Sequence, residues 1–312
     1  MDFIIEKPNV RLDKYLAEKI PGFSRTKLQN AIRLGAVKVN AKLAQKPAHK
    51  LKTGDRVVLM EEKVISPHED LVITPDASIP LDIIYEDKDV VVVNKSAGLL
   101  FHPTLSERSG TLVNALVARY PQMLKVGENP LRPGIVHRLD KDTSGLLIAC
   151  KNQDAFIKIK AQFLDRKIQK TYLALVEGVP KEKEGDITYD IRPSTGNRLK
   201  KVAVKKLHEP AKKSRRQAQT HYQVQETFGQ KFALLAVTPK TGRTHQIRVH
   251  LSAIGHPVAG DRLYGARAKL PGLKRQLLHA SELKFTAPNG KDLDLSAPLP
   301  ADFSKILEKL EK

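Results

Sequence analysis

Five ionisable side chains fall within six positions between two apolar segments, in the stretch GIVHRLDKDTSGLLIAC that runs from Gly134 to Cys150. They are His137, Arg138, Asp140, Lys141 and Asp142. The apolar, β-branched flanks predict one buried strand, a charged loop and a second buried strand. Charged groups are seldom carried beside a core unless they are paired or used. The loop is therefore the first candidate for a functional site.

The chemistry of this loop depends on which aspartate acts. Asp140 and Asp142 could form a glycosidase-type acid and nucleophile pair, or contribute to a metal site, although no further ligand set follows. Alternatively, Asp142 and Thr143 cap a turn and only one aspartate is functional. Their spacing does not choose between these readings. His137 could be a general base, and an oriented structural histidine is the favoured interpretation.

A second constellation lies in TGRTHQIRVHLSAIGHPVAGDRLYG, residues 241–265. Thr244 could cap a helix whose first amide groups attract phosphate. His245 and Arg248 share a helix face offset from the apolar positions Ile247, Leu251 and Ile254. Arg248 is therefore a candidate partner for a buried carboxylate, a pairing that favours the charged form of an aspartate. The alternative is a surface arginine on an amphipathic helix.

Other segments carry weaker signals. Tyr172 in KTYLAL is a packing residue unless its strand borders the charged loop, where it could stack on a base. Lys95 and His102 follow an apolar strand in NKSAGLLFHP. The sequence has no phosphate-binding Walker loop, dinucleotide glycine fingerprint or HExxH zinc motif. Enzymes that use a nucleoside triphosphate, nicotinamide or zinc are poorly supported.

Composition points to a polyanionic partner. The 312 residues carry a formal net charge of +20, and the pI is near 9.9, so nucleic acid is the first candidate. A solvated, soluble surface is the simpler alternative, and an anionic membrane lacks a supporting basic, apolar-faced helix. Cys150 is the one cysteine. With no signal-peptide pattern and no span of about 20 apolar residues, we expect a cytoplasmic protein.

The chain divides into a basic module over residues 1–62, a linker over 63–80 and a larger domain over 81–312. In the module, helical spacing predicts one helix through Leu12, Tyr15, Leu16 and Ile20, and a second from a Ser24 cap to Gly35. Short apolar strands alternate with two amphipathic helices in the larger domain. We expect an α+β fold, in which a largely antiparallel, mixed β-sheet is flanked by helices and loops, beside a small N-terminal α/β RNA-binding domain.

Residues 192–216 carry ten Lys or Arg against one acid. The segment is either a surface loop kept soluble by charge or, as we prefer, a phosphate-binding arm that orders on RNA.

Four ordered blocks resemble the RluA-type pseudouridine synthases. HRLDKDTSG, with RPGIV before it and LLIA after it, resembles the active-site motif of that family. The segments that begin at Leu81, Thr241 and Leu277 resemble its opening, third and C-terminal segments. Residues 10–60 resemble the alpha-L RNA-binding motif, as in ribosomal protein S4. Ser96 stands where proline is common in the family, and residues 192–216 are longer and more basic than we expect.

This resemblance implies a role for each of four residues. Asp140 is the expected catalytic aspartate, and Arg138 helps to hold the target base out of its helix. Tyr172 stacks on the target uracil, and Arg248 pairs with the aspartate. The implied reaction isomerises uridine to pseudouridine: the N1–C1′ bond breaks, the uracil rotates, and a C5–C1′ bond forms. The expected RNA-binding residues are Arg138, His137, Lys95, His102, Arg243, His245, Arg25, Lys27, Arg33, Lys200 and Lys201.

The sequence therefore predicts an rRNA pseudouridine synthase that acts on large-subunit (23S) rRNA by base flipping. We expect a monomer with no cofactor, no metal and no membrane partner. The alternatives are a tRNA pseudouridine synthase, a non-catalytic RNA-binding ribosome-assembly factor, and a nucleoside glycosidase that uses Asp140 and Asp142. Whether Asp140 acts as nucleophile or as base stays open.

Overall fold

A computed structural model describes residues 1–6, 8–20, 23, 25–60, 73–104, 107, 109–197, 199–205 and 215–312. The chain forms two compact units, Met1–Val72 with Thr104–Arg108, and Ile73–Pro103 with Ser109–Lys312. The division at 72/73 falls inside the segment 63–80, and the boundaries at 62 and 81 stay a prediction. Within the described residues, no helix has the length and apolarity that a membrane crossing requires.

The N-terminal unit packs two helices on a small antiparallel sheet. Its elements are β1 (Asp2–Ile4), α1 (Leu12–Lys19), α2 (Arg25–Arg33), β2 (Val37–Val39), β3 (Lys42–Leu43) and β4 (Arg56–Leu59), and the strand order is β1-β4-β2-β3. The apolar spacing of both helices buries Leu16, Ile20, Leu28 and Ile32 in one core. The predicted cap, Ser24, lies outside the described residues.

The larger unit is built on a nine-stranded sheet of order β5-β6-β7-β14-β8-β13-β12-β9, with β15 paired to β14. The strands are β5 (Ile83–Glu86), β6 (Val90–Lys95), β7 (Ser144–Cys150), β8 (Gln169–Glu177), β9 (Glu184–Ile187), β12 (Thr220–Phe228), β13 (Phe232–Pro239), β14 (Leu278–Thr286) and β15 (Asp292–Ser296). Two further strands, β10 (Asp190–Pro193) and β11 (Lys201–Val204), form a separate antiparallel pair. The helices are α3 (Leu112–Arg119), α4 (Gln153–Leu164), α5 (Gln246–Ala253) and α6 (Ala301–Leu310). The α+β class and the largely antiparallel, mixed sheet are confirmed.

The prediction of a strand before the charged loop is wrong. Only one isolated bridge, Ile135 to Ala149, pairs this segment with β7. Pro133 lacks an N–H for a ladder, and Gly134 has a left-handed φ of 69°, so the chain turns here instead of extending. The segment is left to line a cleft.

Gly145 lets two central strands approach closely. β7 and β14 are parallel there, with Gly145 opposite Ala280. Gly145 has a φ of 112°, and a Cβ atom at this position would lie 2.3 Å from the carbonyl oxygen of Ala280. Because Ala280 also pairs with Tyr172 of β8, this glycine brings the charged loop beside the strand that carries the tyrosine.

Candidate active site

The charged loop opens into a cleft of about 830 Å³ in the larger unit. Asp140, Tyr172, Arg248, Arg138, His137, Arg243 and His245 all line it. Seven lysines and arginines of the described residues line the cleft, against one acid, Asp140. They are Arg132, Arg138, Arg166, Lys170, Lys240, Arg243 and Arg248. The cleft therefore offers a single carboxylate within a cationic wall.

Arg248, which lines the cleft, binds two carboxylates. Its Nη1 donates to Oδ2 of Asp140 at 2.9 Å. Its Nε and Nη2 donate to both carboxylate oxygens of Asp261, at 2.6 and 2.9 Å. The Asp261 side chain is 1 % exposed and that of Asp140 is 18 % exposed. Asp261 thus holds the guanidinium fork, and the fork holds Asp140 at the edge of the cleft.

Burial acts to lower the pKa of Arg248, but the hydrogen bonds and charge of Asp261, followed by those of Asp140, more than offset it and raise this pKa. The cation is therefore permanent. Burial raises the pKa of Tyr172, and the charge of Asp140 adds to the effect. Tyr172 is thus a neutral, buried ring beside the carboxylate, suited to stacking rather than to proton transfer.

Two backbone carbonyls that follow Asp140 are held by buried basic side chains. Lys95 Nζ donates to the carbonyl oxygens of Ser96, Leu99 and Lys141 at 2.8–2.9 Å. Arg275 Nη1 donates to the carbonyl of Asp142 at 3.0 Å. Lys95 is 1 % exposed, and burial lowers its pKa to about 7. The prediction that Lys95 contacts RNA is therefore corrected, since its buried Nζ donates to three carbonyls of the protein and fixes the loop from inside.

Arg275 extends the support of the loop to α6. Its Nε and Nη2 donate to the carboxylate of Asp302, at 2.7 and 2.9 Å. The C-terminal helix is thereby linked to the backbone of the charged loop.

Two predicted RNA-binding histidines have partners inside the protein. His137 accepts the Ile148 N–H at Nε2, 2.9 Å away, and its ring lies 4.8 Å from that of Phe163. Burial lowers the pKa of His137 to about 3, so it is the neutral, oriented histidine of the favoured interpretation and not a cation for phosphate. The Nε2 atom of His102 lies 3.0 Å from Nη2 of Arg132, and His102 does not line the cleft.

The two aspartates of the loop separate. Residues 140–143 form a turn in which the Thr143 N–H donates to the carbonyl of Asp140 at 3.1 Å. Asp140 lines the cleft and Asp142 does not. This geometry gives no support to a two-carboxylate glycosidase site, because only one of the two carboxylates lines the cleft.

The start of α5 differs from the prediction. Thr244 is exposed and does not cap the helix, which begins at Gln246. His245 occupies the cap position with a left-handed φ of 57°. The Gln246 side chain accepts from Thr241 and from the backbone of Arg243. This buried amide fixes the entry loop in place of a hydroxyl cap.

The His245 ring is held between the cleft and a tyrosine. Its Nδ1 lies 2.8 Å from the Tyr264 hydroxyl oxygen. Its Nε2 lies 3.8 Å from Oδ2 of Asp140. Burial lowers the pKa of His245, and this outweighs the opposing charge of Asp140. His245 therefore contributes a neutral imidazole to the site.

The basic segment 192–216 is partly structured. Its described ends contribute to the β10–β11 pair, while residues 198 and 206–214 lie outside the description. The Lys201 N–H donates to the Tyr264 hydroxyl at 2.9 Å, and Lys200 Nζ lies 5.7 Å from the centre of that ring. The exposed Arg138 and Arg243 stand on the cleft wall. Arg138 and Arg243 therefore line the cleft, whereas Lys200 and Lys201 lie beside Tyr264 and are not part of its lining.

In the N-terminal unit, one buried carboxylate holds two arginines. Arg11 and Arg25 donate to Asp13 at 2.9–3.1 Å, and the Asp13 side chain is fully buried. Burial acts to raise the pKa of Asp13, but hydrogen bonds from Arg11, Gln29 and Arg25 lower it well below its usual value. Arg33 donates to Asn30. The Lys27 side chain lies outside the described residues.

Sequence reasoning missed Asp261, Tyr264, Gln246 and Arg275. The first three lie in the segment 241–265, and an acid after glycine in VAGDRLYG was the available signal for Asp261. A single arginine on a mixed face gives no hint that it binds two carboxylates. For Arg275, the sequence carries no pattern that predicts a contact 133 residues away with Asp142.

The comparisons with known proteins identify the family of the chain. Residues 89–253 match the family model described as RNA pseudouridylate synthase, and residues 10–57 match the S4 domain. The chain belongs to the RNA pseudouridine synthase family, whose members are isomerases.

Relatives match over nearly the whole chain. An uncharacterised RNA pseudouridine synthase of Synechocystis is 40% identical, over 97% of this chain and 90% of its own length. Ribosomal large subunit pseudouridine synthase D of Haemophilus influenzae is 36% identical, over 98% and 93%. Human RNA pseudouridylate synthase domain containing 4 has a similar structure, with a TM-score of 0.57 and 27% identity over 74% of this chain and 93% of its own.

Proposed function

We propose that this enzyme isomerises uridines in large-subunit ribosomal RNA, with Asp140 as the catalytic carboxylate. The observation that carries the proposal is the pairing of Asp140 with Arg248 in a cleft whose wall is otherwise cationic. A polyanionic strand is attracted by that wall. Once it is bound, Asp140 is the one acid of the described lining that can reach a ribose.

The target uridine must leave its stack before it can enter the cleft. Flipping costs roughly a few kcal/mol, and stacking on an aromatic ring offsets about 1–3 kcal/mol per base. Tyr172 supplies the ring, since it is neutral, buried and beside Asp140. The exposed Arg138 supplies a cation next to the space that the base vacates.

Asp140 acts on the ribose as nucleophile or as base. The N1–C1′ bond of uridine breaks, the uracil rotates within the cleft, and a C5–C1′ bond forms. The hydrogen displaced from C5 is released, which makes tritium release from [5-³H]uridine a direct readout. Arg248 contributes by fixing the carboxylate. The neighbouring ring of Tyr172 limits the access of water to that carboxylate.

The substrate class rests on two supports. The Haemophilus influenzae relative is named for the large ribosomal subunit and matches 98% of this chain. The S4 domain matched at residues 10–57 supplies a second RNA-binding module. We propose further that the enzyme acts in the cytoplasm as a monomer.

The decisive experiment incubates the purified protein with large-subunit rRNA from a strain that lacks its gene. Carbodiimide mapping should reveal new pseudouridines in that rRNA. Pseudouridine in tRNA with none in rRNA would show that tRNA is the substrate instead of rRNA. Pseudouridine in neither RNA would favour a non-catalytic assembly factor. Release of free uracil would favour a glycosidase.

Affinity for RNA should fall steeply with salt. Each phosphate contact releases counterions, which contributes a slope of about −0.7 to −0.9 in log K against log salt. A flat dependence between 50 and 200 mM salt would contradict the cationic wall as the RNA-binding surface.

A further inference from the structure

A line of polar groups runs from the basic hairpin β10–β11 to the catalytic carboxylate. The Lys201 backbone N–H donates to the Tyr264 hydroxyl at 2.9 Å. That hydroxyl lies 2.8 Å from Nδ1 of His245. The other ring nitrogen of His245 faces Oδ2 of Asp140 at 3.8 Å. The imidazole of His245 thereby links the charged loop to Tyr264, and Tyr264 links it to β11.

The direction of these hydrogen bonds fixes a proton. A phenol has one proton to donate, and it accepts through its oxygen. The Tyr264 oxygen already accepts from Lys201, so it satisfies its own proton by donating to Nδ1 of His245. A neutral imidazole that accepts at Nδ1 carries its proton on Nε2. Burial lowers the pKa of His245, which agrees with a neutral ring.

The backbone around His245 keeps the ring in this position. His245 has a left-handed φ of 57° at the position before α5, and the buried Gln246 amide anchors the adjoining loop. Left-handed residues other than glycine concentrate at functional sites. The 3.8 Å gap to Asp140 exceeds a hydrogen bond, and such contacts often shorten when substrate binds.

We propose that the β10–β11 hairpin acts through Tyr264 to hold His245 in its Nε2–H form, with this donor aimed at the Asp140 carboxylate. Tyr264 and His245 are positioning residues in this scheme. Lys200 and Lys201 lie on the same hairpin. RNA that binds their side chains therefore also positions β11, whose Lys201 N–H determines the tautomer of His245 through Tyr264. The catalytic consequence rests on the proposed function, whereas the tautomer is a property of the free protein.

Nuclear magnetic resonance of the ¹⁵N-histidine-labelled full-length protein tests the proposal without RNA. Long-range ¹H–¹⁵N correlation separates the two tautomers, and His245→Gln assigns the signal among the ten histidines. The wild type should show the Nε2–H form. Tyr264→Phe keeps the ring and removes the hydroxyl, so it should raise the Nδ1–H population.

Matched variants separate the hydrogen bonds from packing and charge. Lys201→Pro removes the backbone donor at the first residue of β11, a strand position that tolerates proline, and should also raise the Nδ1–H population. Lys201→Ala keeps the N–H and should leave the tautomer unchanged. Tyr189 precedes β10, and its ring lies 6.4 Å from that of His250. Tyr189→Phe therefore removes a hydroxyl outside the line and should leave the tautomer unchanged as well.

An Nδ1–H tautomer in the wild type, or an unchanged ratio in a folded Tyr264→Phe protein, would overturn the proposal. Tyr264→Phe should also lower kcat for isomerisation roughly 10- to 100-fold through misplacement at the site, with the KM for RNA within about threefold. An equal loss in kcat for Tyr189→Phe would count against it. If the wild type forms no pseudouridine, the proposed function fails while the tautomer result stands.

Discussion

Two ionic clusters in this protein are both built from arginines and aspartates, but the buried member is an aspartate in one and an arginine in the other. In the N-terminal unit, Asp13 is fully buried, and the two arginines that it binds, Arg11 and Arg25, are 46 and 49 % exposed. In the cleft, Arg248 is 9 % exposed and binds Asp261 and Asp140, of which Asp140 is the more exposed at 18 %. The first cluster presents cations to solvent, and the second presents a carboxylate.

The difference shows that burial decides which member of an ion pair is available to a ligand. A buried charge needs partners to remain charged, so the buried group fixes the geometry and the exposed group faces outward. Asp13 is thus the internal support of a cationic surface, which suits phosphate. Arg248 is the internal support of an anion, which suits chemistry on a ribose.

The largest effect is expected from Arg248→Met, because it leaves Asp261 buried without its partner. Breaking a buried pair in this way costs about 3–5 kcal/mol of unfolding free energy. We also expect turnover to fall roughly 10²- to 10³-fold, as when one charge-stabilising donor is lost. Urea unfolding and tritium release measure the two effects.

Arg138→Met is the control for that variant, because it removes an exposed arginine from the same cleft wall. It should change stability by no more than about 0.5 kcal/mol. Equal destabilisation by the two variants would mean that the Arg248 cluster has no special role in holding the cleft. In a double-mutant cycle, Arg248→Met with Asp261→Asn should be less destabilising than the sum of the two single variants.

A smaller effect is expected from Asp13→Asn, which keeps the shape of the side chain and removes its charge. The two arginines can rehydrate, so we expect a loss of about 1–3 kcal/mol. RNA affinity should weaken by a similar factor across sequences, while kcat at saturating RNA is retained. Filter binding and single-turnover kinetics distinguish these effects; loss of kcat with unchanged affinity would contradict the division of labour between the clusters.

The smallest effect is a pH dependence from His137. Burial lowers its pKa to about 3, against about 6.5 when unfolded, so the unfolded state binds the proton more readily. Stability from this residue is complete above about pH 6.5 and declines as the pH falls towards 3. The side chain of His137→Gln can still accept the Ile148 N–H. Between pH 7 and 5, the free energy of unfolding of this variant should fall by about 1–2 kcal/mol less than that of the wild type.

Urea unfolding at the two pH values measures this difference. His49→Gln, at an exposed histidine of the N-terminal unit, is the control and should behave like the wild type. Equal losses in the wild type and His137→Gln would show that His137 does not titrate in the predicted direction.

The sequence predicts the fold class well because local patterns carry it. Period-two strands and the apolar spacing of α1 and α2 are properties of short segments. The prediction of a strand before the charged loop fails because it gave more weight to the apolar Ile135 and Val136 than to the turn-forming Pro133 and Gly134. The prediction of a Thr244 cap fails because the buried side chain of Gln246, two residues later, forms the hydrogen bonds that fix the loop.

The site is only partly predictable for a different reason. Arg248 was a candidate because its helix face is offset from the apolar positions, and the resemblance pointed to its pairing with Asp140. Lys95 was expected to contact RNA, as a residue of the segment that follows an apolar strand. Its burial depends on three carbonyls, one of them 46 residues away. Such long-range polar contacts have no period in the sequence.

The central claim is that Asp140 alone among the loop carboxylates performs the reaction, and the matched pair Asp140→Asn and Asp142→Asn tests it most directly. Single-turnover tritium release and RNA affinity should be measured for both variants with the same rRNA. We expect Asp140→Asn to abolish isomerisation and keep its affinity, and Asp142→Asn to retain isomerisation. Turnover by Asp140→Asn at the wild-type rate, or a loss confined to Asp142→Asn, would contradict the account.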